Sequence, residues 1–235
     1  MVPRRADLTP TMLKKQMINK KFLKQYICNQ DVLSKIDLAL SVSEQRSRNI
    51  MLENSWYKDL YVDPEVDIVN SRPQVTQQVR AELVDFLNLL IDNNVKNVLQ
   101  IGLGHWASTH FILSLLVDRV TTVEYDAEFI NRYKKEMDES FETVLQGDST
   151  VIFKQINEQF DAVFIDGNHS YDYVKKDLEN YYPKVKNGGI IALHDANFEG
   201  ERYGTPRVLR ESDYDWNFIS HSKEVGIAYL IKETK

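Results

Sequence analysis

A single cysteine, Cys28, leaves the chain with no internal disulfide and no thiolate companion at metal-ligand spacing, which suits a reducing compartment and reads as an ordinary thiol. Equally missing is any apolar run long enough to cross a bilayer, and the opening MVPRRADLTPTMLKKQ has no apolar core of the kind a signal peptide needs. The expected location is cytoplasmic, with no membrane partner. Positive charge is not in excess: 29 basic against 35 acidic residues give a formal net charge of -6. Broad affinity for nucleic acid depends on neutralising phosphates and is therefore not favoured. One local exception keeps that partner open, since residues 1–30 hold Arg4, Arg5, Lys14, Lys15, Lys20, Lys21 and Lys24 against only Asp7. The simpler reading of such a run is a solvated helix face.

What is present is enough for a real core: 235 residues, 43% of them hydrophobic, exclude a disordered or fibrous chain. Residues 1 to about 70 contain no glycine and space their apolar positions helically (Met12, Met17, Phe22, Tyr26, then Val32, Ile36, Leu38). They are expected to form an N-terminal helical appendage, with the main domain over residues 71–235. Pro73 is placed to open a helix reaching about Asn94, with Val75, Val79, Leu83, Phe86, Leu87 and Leu90 on one face.

From Val98 the periodicity alternates. NVLQIG, RVTTVEY, ETVLQGD, FDAVFIDG and GGIIALHD read as strands, and STHFILSLL, AEFINRYKKEMDES, STVIFKQINEQ and YDYVKKDLENYYPKV as the helices between them. That alternation builds a parallel sheet covered on both faces. The tail breaks the rule, because WNFISHS and VGIAYLIKE are too close for a crossover helix and should pair antiparallel. The expected fold is therefore α/β: a Rossmann-like, seven-stranded, mostly parallel sheet with a C-terminal antiparallel hairpin.

Gly102 and Gly104 follow the first strand, where glycine permits a tight turn and close approach to a ligand. Glu124 ends the second strand, where a carboxylate can take both hydroxyls of a ribose. Together they specify a nucleoside site. Trp106 and Ala107 occupy the region of the third glycine that a pyrophosphate needs, which disfavours a nicotinamide dinucleotide. Gly147, Asp148 and Ser149 place a carboxylate and a hydroxyl where an adenine amino group would lie.

The runs VLQIGLGHWAST, VTTVEYD, LQGDS, FDAVFIDGNHSYDYVKKDLENYYPKVKNGGIIALHD and GIAYLI resemble, in order and spacing, class I S-adenosylmethionine-dependent methyltransferases, within them the branch described as methyltransferase domain 24. The resemblance spans about Gln77 to Ile231. It implies S-adenosylmethionine as cofactor, with Gly102 and Gly104 beside its methionine portion, Glu124 on its ribose and Asp148 on its adenine, and Tyr125, Ser149 and Asp166 among the other cofactor-binding residues. Two positions depart from the pattern: Gln100 stands where an acid is usual, and Trp106 where a glycine is usual. The first departure also admits a catalytically silent S-adenosylmethionine-binding module.

Asp166 and His169 follow the fourth strand, and His194 and Asp195 end the fifth, so the four should converge where open parallel sheets bind ligands. His169, with Asp166, is the expected catalytic pair, His169 acting as general base on a small-molecule or sugar hydroxyl. Asp166 and Asp195 are expected to hold either a divalent metal such as Mg2+ or the acceptor's polar groups. His194 reads more simply as a buried imidazole. Tyr171, Tyr173, Tyr181 and Tyr182 read first as packing for the fourth helix.

Overall fold

The computed structural model describes residues 20–53, 78–198, 200, 202–221 and 225–233, with side chains described for all of these except residues 47–53. Seven strands form one sheet: β1 (Asn97–Ile101), β2 (Arg119–Glu124), β3 (Glu142–Gln146), β4 (Phe160–Ile165), β5 (Val185–His194), β6 (Asn217–Ile219) and β7 (Ile227–Ile231). Their order is β3-β2-β1-β4-β5-β7-β6. The first five are parallel, and β7 inserts antiparallel between β5 and β6. The expected hairpin is thus present, with its second strand on the inside.

The helices are α1 (Lys20–Cys28), α2 (Val32–Glu53), α3 (Arg80–Asp92), α4 (Ser108–Leu116), α5 (Ala127–Tyr133), α6 (Ser149–Ile152), α7 (Tyr171–Tyr181) and α8 (Thr205–Glu211). The strand period of two sorts the core onto two faces. Val98, Ala162, Phe164, Ile190 and Ala192 pack with α1 to α4. Leu99, Val163, Ile165, Ile191 and Leu193 pack with α7 and α8. Both faces are apolar because parallel strands are covered on both sides.

Four helices differ from their sequence expectation, α7 ending at Tyr181 with a 3-10 turn over Tyr182–Lys184 after it. α3 begins at Arg80, and Pro73 and Val75 lie outside the described residues. α5 ends at Tyr133, short of the run AEFINRYKKEMDES, and the buried Tyr133 hydroxyl donates to Glu142 Oε2 at 2.5 Å. The STVIFKQINEQ run yields one turn of α6 and a 3-10 turn over Phe153–Gln155.

Leu23, Ile27, Ile36, Ala39, Leu40 and Val42 of α1 and α2 share the core that contains Phe111, Ile112 and Leu115 of α4. Two lysines of the basic segment are spent on this joint. Lys20 pairs with Glu142 at 2.6 Å with 9% of its side chain exposed, and Lys24 donates to the Ser114 carbonyl at 2.8 Å. Burial pushes the Lys20 ammonium down to about 8, Glu142 opposing it. Burial would raise Glu142, but His110 and Lys20 hold it at about 2. Arg4, Arg5, Lys14 and Lys15 lie outside the described residues.

Candidate active site

The C-terminal ends of β1 to β5 open into one cleft of about 730 Å³. Every residue expected at the site lines it: Gly102, Gly104, Glu124, Tyr125, Asp148, Ser149, Asp166, His169 and Asp195. Gln78, Trp106, His194 and Tyr203 join them.

Gly102 has φ +93°, and a Cβ there would meet the Asp166 carbonyl oxygen at 2.1 Å. Only glycine lets the first loop cross the end of β4 so closely. Glu124 fixes that loop from the side. Its Oε2 accepts the Leu103 and Gly104 amides at 2.7 and 3.3 Å, and its Oε1 accepts the Asp126 amide at 2.7 Å. A carboxylate has about four acceptor positions, so these three bonds leave about one, on Oε1, for a hydroxyl from the cleft. Asp148 caps α6, accepting the Thr150 amide at 2.8 Å and the Tyr173 hydroxyl at 3.2 Å. The bonds from Thr150 and Tyr173 hold its carboxyl below the usual range. Ser149 is thus the first residue of the helix rather than its cap.

Gln100, 1% exposed, donates Nε2 to the Gly102 carbonyl at 2.6 Å. Its Oε1 is buried with no hydrogen-bond partner. A buried acceptor left open costs free energy that a ligand donor would recover. The residue that departs from the family pattern therefore still offers the cleft an acceptor, an amide oxygen in place of a carboxylate.

On the other side of the cleft two histidines and two aspartates converge as their strand ends require. His169 Nδ1 lies 2.7 Å from Asp195 Oδ2, and 44% of the His169 side chain is exposed. His194 Nδ1 lies 3.1 Å from Asp166 Oδ1 and 3.2 Å from Asp195 Oδ1. Asp166 Oδ2 accepts the Gln78 amide at 2.7 Å. The adjoining Asp195 carboxylate raises His169 above its ordinary pKa, against its partial burial. Burial would depress His194, yet Asp166 and Asp195 lift it to about 10. Burial would raise Asp195, but His169 and His194 hold it well below the usual carboxylate range. His194 is therefore more than a buried imidazole: its Nδ1 faces two carboxylates, which favour its protonated form.

The sequence pointed to neither Gln78 nor Tyr203, whose positions depend on distant segments. The Tyr203 ring stands 5.2 Å from that of His169 and stacks on Phe198 at 3.8 Å. Of the four tyrosines read as packing, Tyr181 is fully buried, Tyr182 stacks on Tyr214 at 4.9 Å, and Tyr171 donates its hydroxyl to Glu211. Tyr173 instead lines the cleft.

Residues 99–196 match a family model described as a methyltransferase domain. No curated relative matches the chain in sequence. Among solved structures, a candidate caffeoyl-CoA O-methyltransferase from Staphylococcus aureus superimposes with TM-score 0.54 at 20% identity, covering 81% of this chain and 99% of that one. The SAH-bound methyltransferase PaMTH1 from Podospora anserina gives 0.56 at 16% identity, covering 84% and 88%. A TDP-rhamnose 3'-O-methyltransferase of calicheamicin biosynthesis gives 0.52 at 14% identity, covering 81% and 93%. At these identities the likeness is one of fold.

Proposed function

We propose that this chain, whose residues 99–196 match a methyltransferase domain, is a class I S-adenosylmethionine-dependent methyltransferase that methylates a hydroxyl of a small molecule or sugar, with His169 as general base. The observation that carries the reading is the His169–Asp195 contact of 2.7 Å at the mouth of the cleft. Asp195 takes the Nδ1 side of the ring, which leaves Nε2 to accept the acceptor's proton. Asp195 also favours the imidazolium that results. Tyr203, stacked on Phe198 beside His169, offers the acceptor an apolar wall.

For the cofactor, the open Gln100 Oε1 suits the methionine ammonium, Gly102 and Gly104 its carboxylate end, Glu124 and Tyr125 the ribose, and Asp148 and Ser149 the adenine. Bound S-adenosylmethionine supplies an electrophilic sulfonium methyl. The protein's task is then to hold the acceptor oxygen in line and remove its proton.

A metal-assisted version rests on one observation: Asp166, His169 and Asp195 each offer a donor atom, all within 4.8 Å of one another. Such a trio would hold a divalent ion such as Mg2+, which would supply Lewis acidity to the acceptor hydroxyl. His194 Nδ1, 3.1 and 3.2 Å from Asp166 and Asp195, faces the same two carboxylates. Among the described residues no helix is long and apolar enough to cross a membrane. A small acceptor in the cytoplasm fits that and the lone cysteine. The burial of Lys20 and the backbone bonds of Lys24 weaken the case for a nucleic-acid acceptor.

The test is transfer of a radiolabelled methyl group to a panel of phenolic and sugar hydroxyls, with and without chelator. His169→Ala should lower kcat by about 10²–10⁴-fold while S-adenosylhomocysteine still binds. Normal turnover in both His169→Ala and Asp166→Asn would overturn the catalytic assignment. Binding without transfer to any acceptor would mark a silent cofactor-binding module. Loss of turnover with chelator would establish the metal.

A further inference from the structure

Ala107 opens α4 at φ 50°, ψ 31° and has no side-chain cap. This left-handed conformation is sparsely populated by residues that carry a Cβ and persists only where the surroundings over-determine it. The constraint comes from α2. Arg46 donates Nη1 to the carbonyl oxygen of Trp106 at 2.6 Å, gripping the peptide just before Ala107.

The guanidinium that makes this bond is itself fixed on every side. Its Nε and Nη2 form a two-point pair with Glu136, the second bond at 3.1 Å. The Phe111 and Tyr133 rings lie 4.8 and 5.2 Å from its central carbon, and only 10% of the side chain is exposed. A rigid, charged fork in a nearly dry setting positions its acceptor tightly. Arg46 lies outside residues 99–196, the stretch that matches the family.

We propose that Arg46 is a positioning residue of the cofactor loop Gly102–Ala107: it holds from the N-terminal helices a turn that would otherwise call for a further glycine. Its effect on cofactor affinity rests on the methyltransferase reading. Its effect on the loop does not.

The experiment compares Arg46→Met, Arg46→Lys and Lys20→Met in the full chain. Lys20 anchors the same helical layer, but to Glu142, at the end of β3 away from the cleft. Amide hydrogen exchange at Leu103, Gly104 and Ala107 is read first, then S-adenosylhomocysteine affinity by calorimetry. Arg46→Met should speed exchange at these amides and weaken binding, each by about tenfold, as expected for losing one charge-assisted hydrogen bond. Arg46→Lys, which keeps the charge but not the fork, should shift both in the same direction and provides the result if the methionine variant does not fold. Lys20→Met should lower the melting temperature and leave both readouts unchanged. Adding Ala107→Gly to Arg46→Met should restore most of the loss, because glycine needs no brace at positive φ. Equal loop exchange in wild type and both Arg46 variants, or an equal change in Lys20→Met, would overturn the proposal. If wild type fails to bind S-adenosylhomocysteine, the methyltransferase reading fails, and loop exchange still decides the role of Arg46.

Discussion

Gly102 passes so close to Asp166 that a Cβ on the glycine would lie 2.1 Å from the aspartate's carbonyl oxygen. The contact follows from β1 and β4 running parallel and paired up to Ile101 and Ile165. The loop leaving one strand has to cross the end of the other. The backbone of the cofactor side of the cleft is thereby set against the backbone of its catalytic side.

Gly102→Ala should therefore damage both. Positive φ and a backbone clash should cost about 2–4 kcal/mol in urea denaturation. S-adenosylhomocysteine binding should fall with it. An alanine variant of wild-type stability and affinity would show that the loop shifts freely, contrary to the packing described.

The buried Lys20–Glu142 pair makes a pH prediction. Glu142 is held at about 2 in the folded chain against an ordinary 4.5. A depressed carboxylate contributes stability that is fully present above the unfolded value and lost as pH falls through the folded one. Wild type should lose about 3 kcal/mol between roughly pH 5 and pH 2 from this group. Glu142→Gln, which strands the buried ammonium, should be less stable at pH 7 by about 3–5 kcal/mol and should show a flatter acid limb. Parallel acid limbs in the two proteins would remove Glu142 from the account.

Asp177 behaves in the opposite sense. It is fully buried on α7, where the Ser149 hydroxyl opposes the effect of burial only in part. Burial raises it to about 7. A raised carboxyl favours the fold below its unfolded pKa and loses that contribution as pH rises through the folded one. Asp177→Asn should therefore be more stable than wild type by about 2–4 kcal/mol at pH 8, the gap closing between pH 7 and pH 4. Equal stability at pH 8 would mean that the carboxylate is satisfied by a partner such as water.

The sheet was legible because its signals are local. Runs such as FDAVFIDG and GGIIALHD are apolar on both faces, and the short gap before VGIAYLIKE leaves no room for a crossover helix. Gly102, Glu124 and Asp148 were legible because strand ends in a parallel sheet fall on one side. The contacts made between distant segments were not legible. Nothing around Arg46 announces that its acceptor is the carbonyl of Trp106, and nothing near Gln78 points to Asp166. Helix ends were less legible: α5 stops at Tyr133, within the run AEFINRYKKEMDES. His194 and Asp195 were expected at the site, yet the contacts of the one with two carboxylates and of the other with His169 depend on geometry between strand ends.

Ser108 to Leu115 of α4 are all buried, because the sheet lies behind this helix and α1 and α2 lie across its front. In an ordinary three-layer fold such a helix would have a wet side able to absorb substitution and breathing. Here the segment that starts at the cofactor loop has no water-facing side, so a ligand settling against Gly104 pushes on a fully enclosed rod. Whatever the cleft does is mechanically tied to helices on the far side of that rod.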